Sequence, residues 1–239
     1  MFLTIALPAY DEIATLDGVV EEALMVNGLV APRPCEILIV DDGSRDGTGA
    51  RADRLADQHP GVHVVHHPVN QGFSGAMLSC FRKSQGEWIF LAPADGQVPI
   101  AEVLRFLERS EGQDIVIGVR NHRRDALHRR LLSRGFHMLA RAMFGLPQRE
   151  FSSAFLFRRA LFADMTLRSR PNSASILPEV LYRAGLRGAR ITELTVAHRP
   201  RLGGRAKGGD FSVIARTLVE MARLAIVIRL EGRRGSTTR

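Results

Sequence analysis

Cysteine is nearly absent: Cys35 and Cys80 are the only two in 239 residues. Two thiols make no disulfide framework, and neither has metal-ligand spacing around it. Each lies in an apolar segment, so buried, reduced thiols and a cytoplasmic setting are expected. Aromatic residues are also sparse, with one Trp and two Tyr. Base-stacking surfaces interleave aromatics with basic residues, so no nucleic-acid partner is expected despite a net charge of +8. No segment approaches the roughly 20 apolar residues of a membrane-spanning helix. The best stretch, 211–230, is interrupted by Arg216, Glu220, Arg223 and Arg229. The first eight residues lack a basic stretch and a cleavage site, and read as a strand. There is no internal repeat, no low-complexity segment, and no P-loop or G-x-G-x-x-G motif. His63, His66 and His67 have no acidic or thiol ligand at metal spacing, and ordinary strand residues are expected there.

What is present describes a globular chain. Hydrophobic residues make up 45% and charged residues 24%, which excludes disorder over most of the length. Apolar runs at 2–7, 36–40, 62–66, 88–92 and 115–119 alternate with amphipathic stretches near 13–28, 46–58, 73–85 and 100–110. Unbroken Val/Ile-rich runs are strands covered on both faces, and strand–helix alternation predicts a mainly parallel sheet flanked by helices. Ligands then bind beyond the carboxyl ends of the strands. After residue 120 the pattern predicts a basic helix at 127–146, a strand at 154–157, a helix at 174–184, a strand at 191–197 and a final amphipathic helix at 211–230. A flexible tail is expected at 231–239. Arginine crowds this second half, so the positive field belongs there.

Three of the predicted strands end in acidic or polar clusters. They are Pro8-Ala9-Tyr10-Asp11-Glu12, Val40-Asp41-Asp42-Gly43-Ser44-Arg45-Asp46-Gly47-Thr48 and Pro93-Ala94-Asp95-Gly96-Gln97. Taken singly, each reads equally well as helix capping, for instance by Ser44 or Asp46. Taken together at one sheet edge, they suit a nucleotide and a divalent cation on its diphosphate.

These motifs, with Asn70-Gln71-Gly72-Phe73-Ser74-Gly75-Ala76, resemble glycosyltransferase family 2, most closely its polyprenol-phosphate mannose synthase-like branch. The resemblance runs from residue 2 to about 210 and implies a GT-A fold. It divides 1–210 into a nucleotide-sugar-binding half, 1–119, and an acceptor-binding half, 120–210. It implies that Pro8, Tyr10 and Glu12 line the nucleotide pocket and that Asp42, beside Asp41, faces the base. Asn70 and Gly72 begin a loop approaching the nucleotide, and Ala94 lies beside the donor. Asp95 and Gln97 would hold Mg²⁺ or Mn²⁺. The family usually has Asp-Ala-Asp-x-Gln at this point, and Pro93 replaces the first carboxylate, which weakens the implied metal site.

In the acceptor half, Arg120 and Arg134 fall fourteen residues apart where the family binds the acceptor phosphate. A guanidinium fork matches phosphate in two-point geometry. The alternative is that both are solvated surface arginines. Glu150 and Ala154 stand where the family usually has Asp and Gly, so the sugar or acceptor pocket differs. Glu179 matches a recurring acidic position, with a solvated helix residue as the alternative. Arg201, Arg205 and Lys207 lie in a segment like the family's donor-closing loop, and Asp95, Arg205 and Lys207 are the implied catalytic set.

The implied reaction transfers a sugar, with inversion, from a nucleotide-sugar to a polyprenyl phosphate. A phosphate acceptor is already anionic and needs no general base; a hydroxyl acceptor would need one, with Glu150 the first candidate. A soluble acceptor and a catalytically silent nucleotide-binding module remain alternatives, the latter because of Pro93. The helices at 127–146 and 211–230 have bulky apolar faces bordered by arginines, which suit the headgroup plane of an anionic membrane. The alternative is packing on their own domain. Peripheral association on the cytoplasmic membrane face is the expectation.

Overall fold

The computed structural model describes residues 1–120, 127–151, 153–200 and 211–236, with backbone alone at 127–134, 136, 211–216, 229–230 and 232–236. Among the described residues, β1 (Leu3–Ala9), β2 (Cys35–Asp41), β3 (Val62–His66), β4 (Trp88–Leu91), β5 (Ile115–Arg120), β6 (Phe155–Arg158) and β7 (Ile191–Val196) share one sheet. Its order is β3-β2-β1-β4-β6-β5-β7. Every neighbouring pair is parallel except those of β6, which runs antiparallel to β4 and β5. The mainly parallel, helix-flanked sheet expected from the sequence is thus present.

Seven helices cover the sheet among these residues: α1 (Leu16–Val30), α2 (Thr48–Gln58), α3 (Gly72–Lys83), α4 (Glu102–Arg109), α5 (Leu127–Phe144), α6 (Ile176–Leu186) and α7 (Phe211–Ser236). Successive strand side chains point to opposite faces, so each central strand feeds two cores. Leu3, Ile5 and Leu7 of β1, with Ile37 and Ile39 of β2, pack on α1, α2 and α4 through Val20, Leu55 and Phe106. Their neighbours Ala6, Leu38 and Val40 pack on the other face with Met77 and Phe81 of α3 and Val180 of α6. This double burial is why these strands read as unbroken apolar runs.

The cysteines lie within these layers as expected. Both are buried and free. Burial, with a lesser effect from Glu36, pushes the Cys35 thiol up to about 12, and burial raises that of Cys80 further. Neither is a nucleophile at neutral pH.

The C-terminal helix departs from expectation in two ways. It continues to Ser236, so the expected tail from 231 is helical for six residues. Its apolar face is also not left uncovered. Met221, Leu224, Ala225 and Ile228, at helical i, i+3, i+4, i+7 spacing, are buried in the second core beside Ala140 and Phe144 of α5. Packing on the domain itself therefore accounts for that face of each helix. Met138 and Leu139 of α5 and Leu218, Val219 and Ile226 of α7 lie outside it, exposed. No helix of the described residues is long and apolar enough to cross a membrane.

The strand order positions the site. The chain builds β1, β2 and β3 outward in one direction, then returns to lay β4 on the other side of β1. A crevice opens at such a reversal, at the carboxyl ends of the strands. Backbone pairing continues just past the strands: Ala94 N donates to Pro8 O at 3.1 Å and Asp42 N to Ala9 O at 2.9 Å. The three motif loops therefore start side by side.

Candidate donor site

The loops after β1 and β2 are knitted by side chains of the two motifs. Asp11 N donates to Ser44 Oγ at 3.0 Å, and Asp11 Oδ1 accepts from Arg45 N at 2.8 Å. Glu12 N donates to Thr48 Oγ1 at 2.9 Å, and Ile13 N to Asp46 Oδ2 at 3.1 Å. Asp46 Oδ1 accepts from Thr48 N, at the start of α2. Burial opposes ionisation of Asp46, but its Thr48 and Ile13 donors outweigh that and hold the carboxyl below its ordinary range. Asp46, just before the Gly47 N-cap, thus accepts from the first amide of α2 and also joins the motifs. Tyr10 is half-buried and Glu12 buried beside this seam.

Asp41 and Asp42, expected to meet the nucleotide base, are both buried and face protein donors. Asp41 Oδ1 accepts from Ser44 N at 3.1 Å, and its Oδ2 lies 3.0 Å from His66 Nδ1. Asp42 Oδ1 lies 2.6 Å from His67 Nδ1 and accepts from Gln71 N at 2.8 Å. Its Oδ2 accepts from Asn70 Nδ2 at 2.9 Å. Asp42 is therefore the hub that holds the half-buried Asn70–Gly72 turn.

His66 and His67 are likewise more than strand residues. Parallel pairing sets Asp41 opposite His66, which brings the histidine pair level with the aspartate pair. His66 Nε2 also lies 2.8 Å from Asp53 Oδ1 on α2. Hydrogen bonding to Asp41 first, then to Asp53, raises its pKa against a smaller opposing effect of burial. Sequence reasoning passed over this pairing because it sought carboxylates near in sequence, whereas these are 25 residues away. The available signal was an Asp-Asp and a His-His dipeptide leaving neighbouring strands.

At β4, Pro93, Asp95 and Gln97 are half-buried and Ala94 is buried. Thr15 Oγ1 donates to Ala94 O at 2.8 Å, tying this loop to the start of α1. Asp95 Oδ1 accepts from Gln97 N at 3.0 Å. Among the described residues, no group of three or more His, Cys, Asp or Glu side chains is placed to hold a metal. One half-buried carboxylate with a nearby amide fits only a cation that takes its remaining ligands from diphosphate and water, as Mg²⁺ commonly does. Beyond β7, Arg199 N donates to Gln97 O at 2.7 Å. The chain leaving β7 is thereby tethered at Arg199 to the β4 motif. Arg201, Arg205 and Lys207 themselves lie outside the described residues.

In the acceptor half, half-buried Arg120 and buried Glu150 form an ion pair. Glu150 Oε2 accepts from Arg120 N at 2.9 Å, Oε1 from Arg120 Nε at 2.5 Å, and Arg120 Nη2 also meets Oε1. Glu150 thus fixes the guanidinium by one edge. Arg134 falls on α5, its side chain outside the described residues. Glu179 is neither solvated nor in an open pocket: it is fully buried and accepts from Arg168 N, Ser169 N and Arg183 Nε. It anchors the segment that carries Asn172 and Ser173 against the donor loop, where Ser74 N donates to Ser173 O at 3.1 Å.

The model of glycosyl transferase family 2 matches residues 4–166, more than half the chain. Undecaprenyl-phosphate mannosyltransferase of Micrococcus luteus is 30% identical, over 95% of this chain and 96% of its own. Undecaprenyl-phosphate 4-deoxy-4-formamido-L-arabinose transferase of Yersinia enterocolitica is 29% identical over 86% of this chain, which spans 62% of that relative's length. Among solved structures, glucosyl-3-phosphoglycerate synthase from Mycobacterium tuberculosis, in complex with Mn²⁺, UDP-glucose and phosphoglyceric acid, superposes with a TM-score of 0.66. It is 21% identical over 94% of this chain and 79% of its own, a likeness of fold. With the three motif loops gathered at one sheet edge, the sequence match and the shared architecture agree: the chain belongs to glycosyl transferase family 2.

Proposed function

We propose that the protein transfers a sugar from a nucleoside-diphosphate sugar, GDP-mannose-like or a UDP-sugar, to a polyprenyl phosphate. The observation that carries this reading is the convergence of the β1, β2 and β4 loops at the chain-reversal crevice, with Arg199 bonded to Gln97 of the β4 loop. Two relatives named as undecaprenyl-phosphate sugar transferases support the lipid acceptor. The solved neighbour holding phosphoglyceric acid supports a phosphate-bearing acceptor more generally, which keeps a soluble phosphate as the second reading.

The donor base and ribose would rest beside the Asn70–Gly72 turn, Tyr10 and Glu12. The diphosphate would lie over Ala94 and Asp95. Asp95 and Gln97 would hold a Mg²⁺ or Mn²⁺ ion, which supplies positive charge to the departing nucleoside diphosphate. Arg205 and Lys207, on the segment beyond Arg199, would close over the same phosphates. The acceptor phosphate is the nucleophile and needs no proton removed, so positioning and charge stabilisation carry the reaction. Arg120 and Arg134 would supply the positioning. Glu150 would hold the Arg120 guanidinium in place for that role. Exposed Met138 and Leu139 on α5, with Leu218, Val219 and Ile226 on α7, support a peripheral position at the membrane.

A donor screen by mass spectrometry, with undecaprenyl phosphate, Mn²⁺ or Mg²⁺ and a panel of nucleotide sugars, tests the proposal. Formation of a lipid-linked phosphosugar is the expected result. Transfer only to a water-soluble phosphate would replace the acceptor assignment, and donor binding without transfer to either acceptor would overturn the catalytic one.

A further inference from the structure

Ser79, His67 and Asp42 form a hydrogen-bonded chain that the transfer reaction does not itself require. His67 is 7% exposed and Asp42 3%. His67 Nε2 lies 2.8 Å from Ser79 Oγ on α3, and its Nδ1 lies 2.6 Å from Asp42 Oδ1. A nitrogen facing a carboxylate carries the proton, so Nδ1–H donates to Asp42. In the neutral ring, Nε2 then accepts the Ser79 hydroxyl proton.

The order serine, histidine, aspartate is that of a nucleophilic triad, but the surroundings are wrong for one. Ser79 sits within α3, whose backbone amides are committed to helical hydrogen bonds. No pair of free amides is available beside Ser79 Oγ to stabilise an oxyanion. What the chain does is hold a carboxylate. Asp42 Oδ1 accepts from both His67 Nδ1 and Gln71 N, while Asp42 O and Oδ2 accept from Asn70 Nδ2. Without the imidazole, one of the two donors that orient Oδ1 is lost, in a place from which water is largely excluded.

We propose that His67 is a positioning residue for the donor site, orienting the Asp42 carboxylate so that it fixes the Asn70–Gln71–Gly72 turn in its nucleotide-receiving form. Ser79 sets the ring from the far side. This inference rests on the donor-site reading above.

Two measurements separate the inference from that reading. Calorimetry with UDP and GDP should show about tenfold or greater loss of affinity in His67→Ala for whichever nucleotide the wild-type protein binds. His67→Asn, whose amide N–H can replace Nδ1–H, should remain within about threefold of wild type, and Ser79→Ala should fall between. Amide hydrogen exchange at Gln71, measured without nucleotide, should speed up about tenfold in His67→Ala and recover in His67→Asn. Wild-type protein that binds neither nucleotide defeats the donor-site reading, while Gln71 exchange still decides whether His67 fixes the turn. Unchanged Gln71 exchange in His67→Ala, or an asparagine variant as impaired as the alanine one, overturns the positioning role. Should His67→Ala not fold, wild-type exchange and affinity in Ser79→Ala combined with failure of His67→Asn to preserve either would overturn it equally.

Discussion

Gly72 and Asn172, from distant parts of the chain, meet back to back. A β-carbon on Gly72 would lie 2.7 Å from Asn172 Cα, and Asn172 N donates to Gln71 O at 2.6 Å. Both residues are left-handed, with φ of +68° and +60°. The donor turn is thus clamped on its inner side by Asp42 and on its outer flank by the segment before α6.

Gly72→Ala should be costly for two reasons that add: an unfavourable backbone region and a collision with main chain, which cannot swing aside as a side chain can. A loss of about 1–3 kcal/mol in urea unfolding is expected. Nucleotide affinity should fall with it, because relief of the clash must move the turn. A variant as stable as wild type would show that the segment around Asn172 yields freely.

Glu179 and Glu231 make a contrasting pair. Both bind Arg183, but Glu179 is fully buried and Glu231 is 35% exposed. Glu179→Ala removes the fully buried acceptor of Arg168 N and Ser169 N and leaves Arg183 with Glu231 alone, with an expected cost of about 1–3 kcal/mol. Glu231→Ala leaves Arg183 with Glu179 and lets water replace the lost partner, so about 0–1 kcal/mol is expected. Chemical denaturation of the two single variants checks the ordering. Equal losses would mean that α7 holds the segment before α6 as firmly as Glu179 does.

His66 gives the fold a pH dependence of definite sign. Its pKa is raised above the ordinary 6.5 by Asp41 and then Asp53. The stabilisation is therefore fully present below the unfolded value near 6.5 and is lost as pH rises through the higher folded value. Wild-type stability relative to His66→Gln should decline across that window. Urea titrations at pH 6 and pH 8.5 measure it, and a difference that grows with pH would contradict the pairing. The ring is 42% exposed, so salt should reduce the effect.

The sequence by itself determined the sheet-and-helix alternation, the family and the three motif loops, because each is written locally. Unbroken Ile- and Val-rich runs mark doubly covered strands, and Asp-Asp-Gly-Ser and its companion motifs are contiguous. Tertiary structure decided what the polar side chains in those loops touch. Asp42 turned inward because β2–β3 pairing and the turn after β3 bring His67 and Gln71 to it, and a buried carboxylate must be met by donors. Glu179 was legible only as an acid on a helix; that it anchors Arg168 and Ser169 depends on the segment before α6 folding back. The apolar face of α7 shows the same limit: its spacing was visible, but whether lipid or protein covers Met221 and Leu224 was set by where α5 came to lie. Periodicity states that a face must be buried, and only the packing of the whole chain states against what.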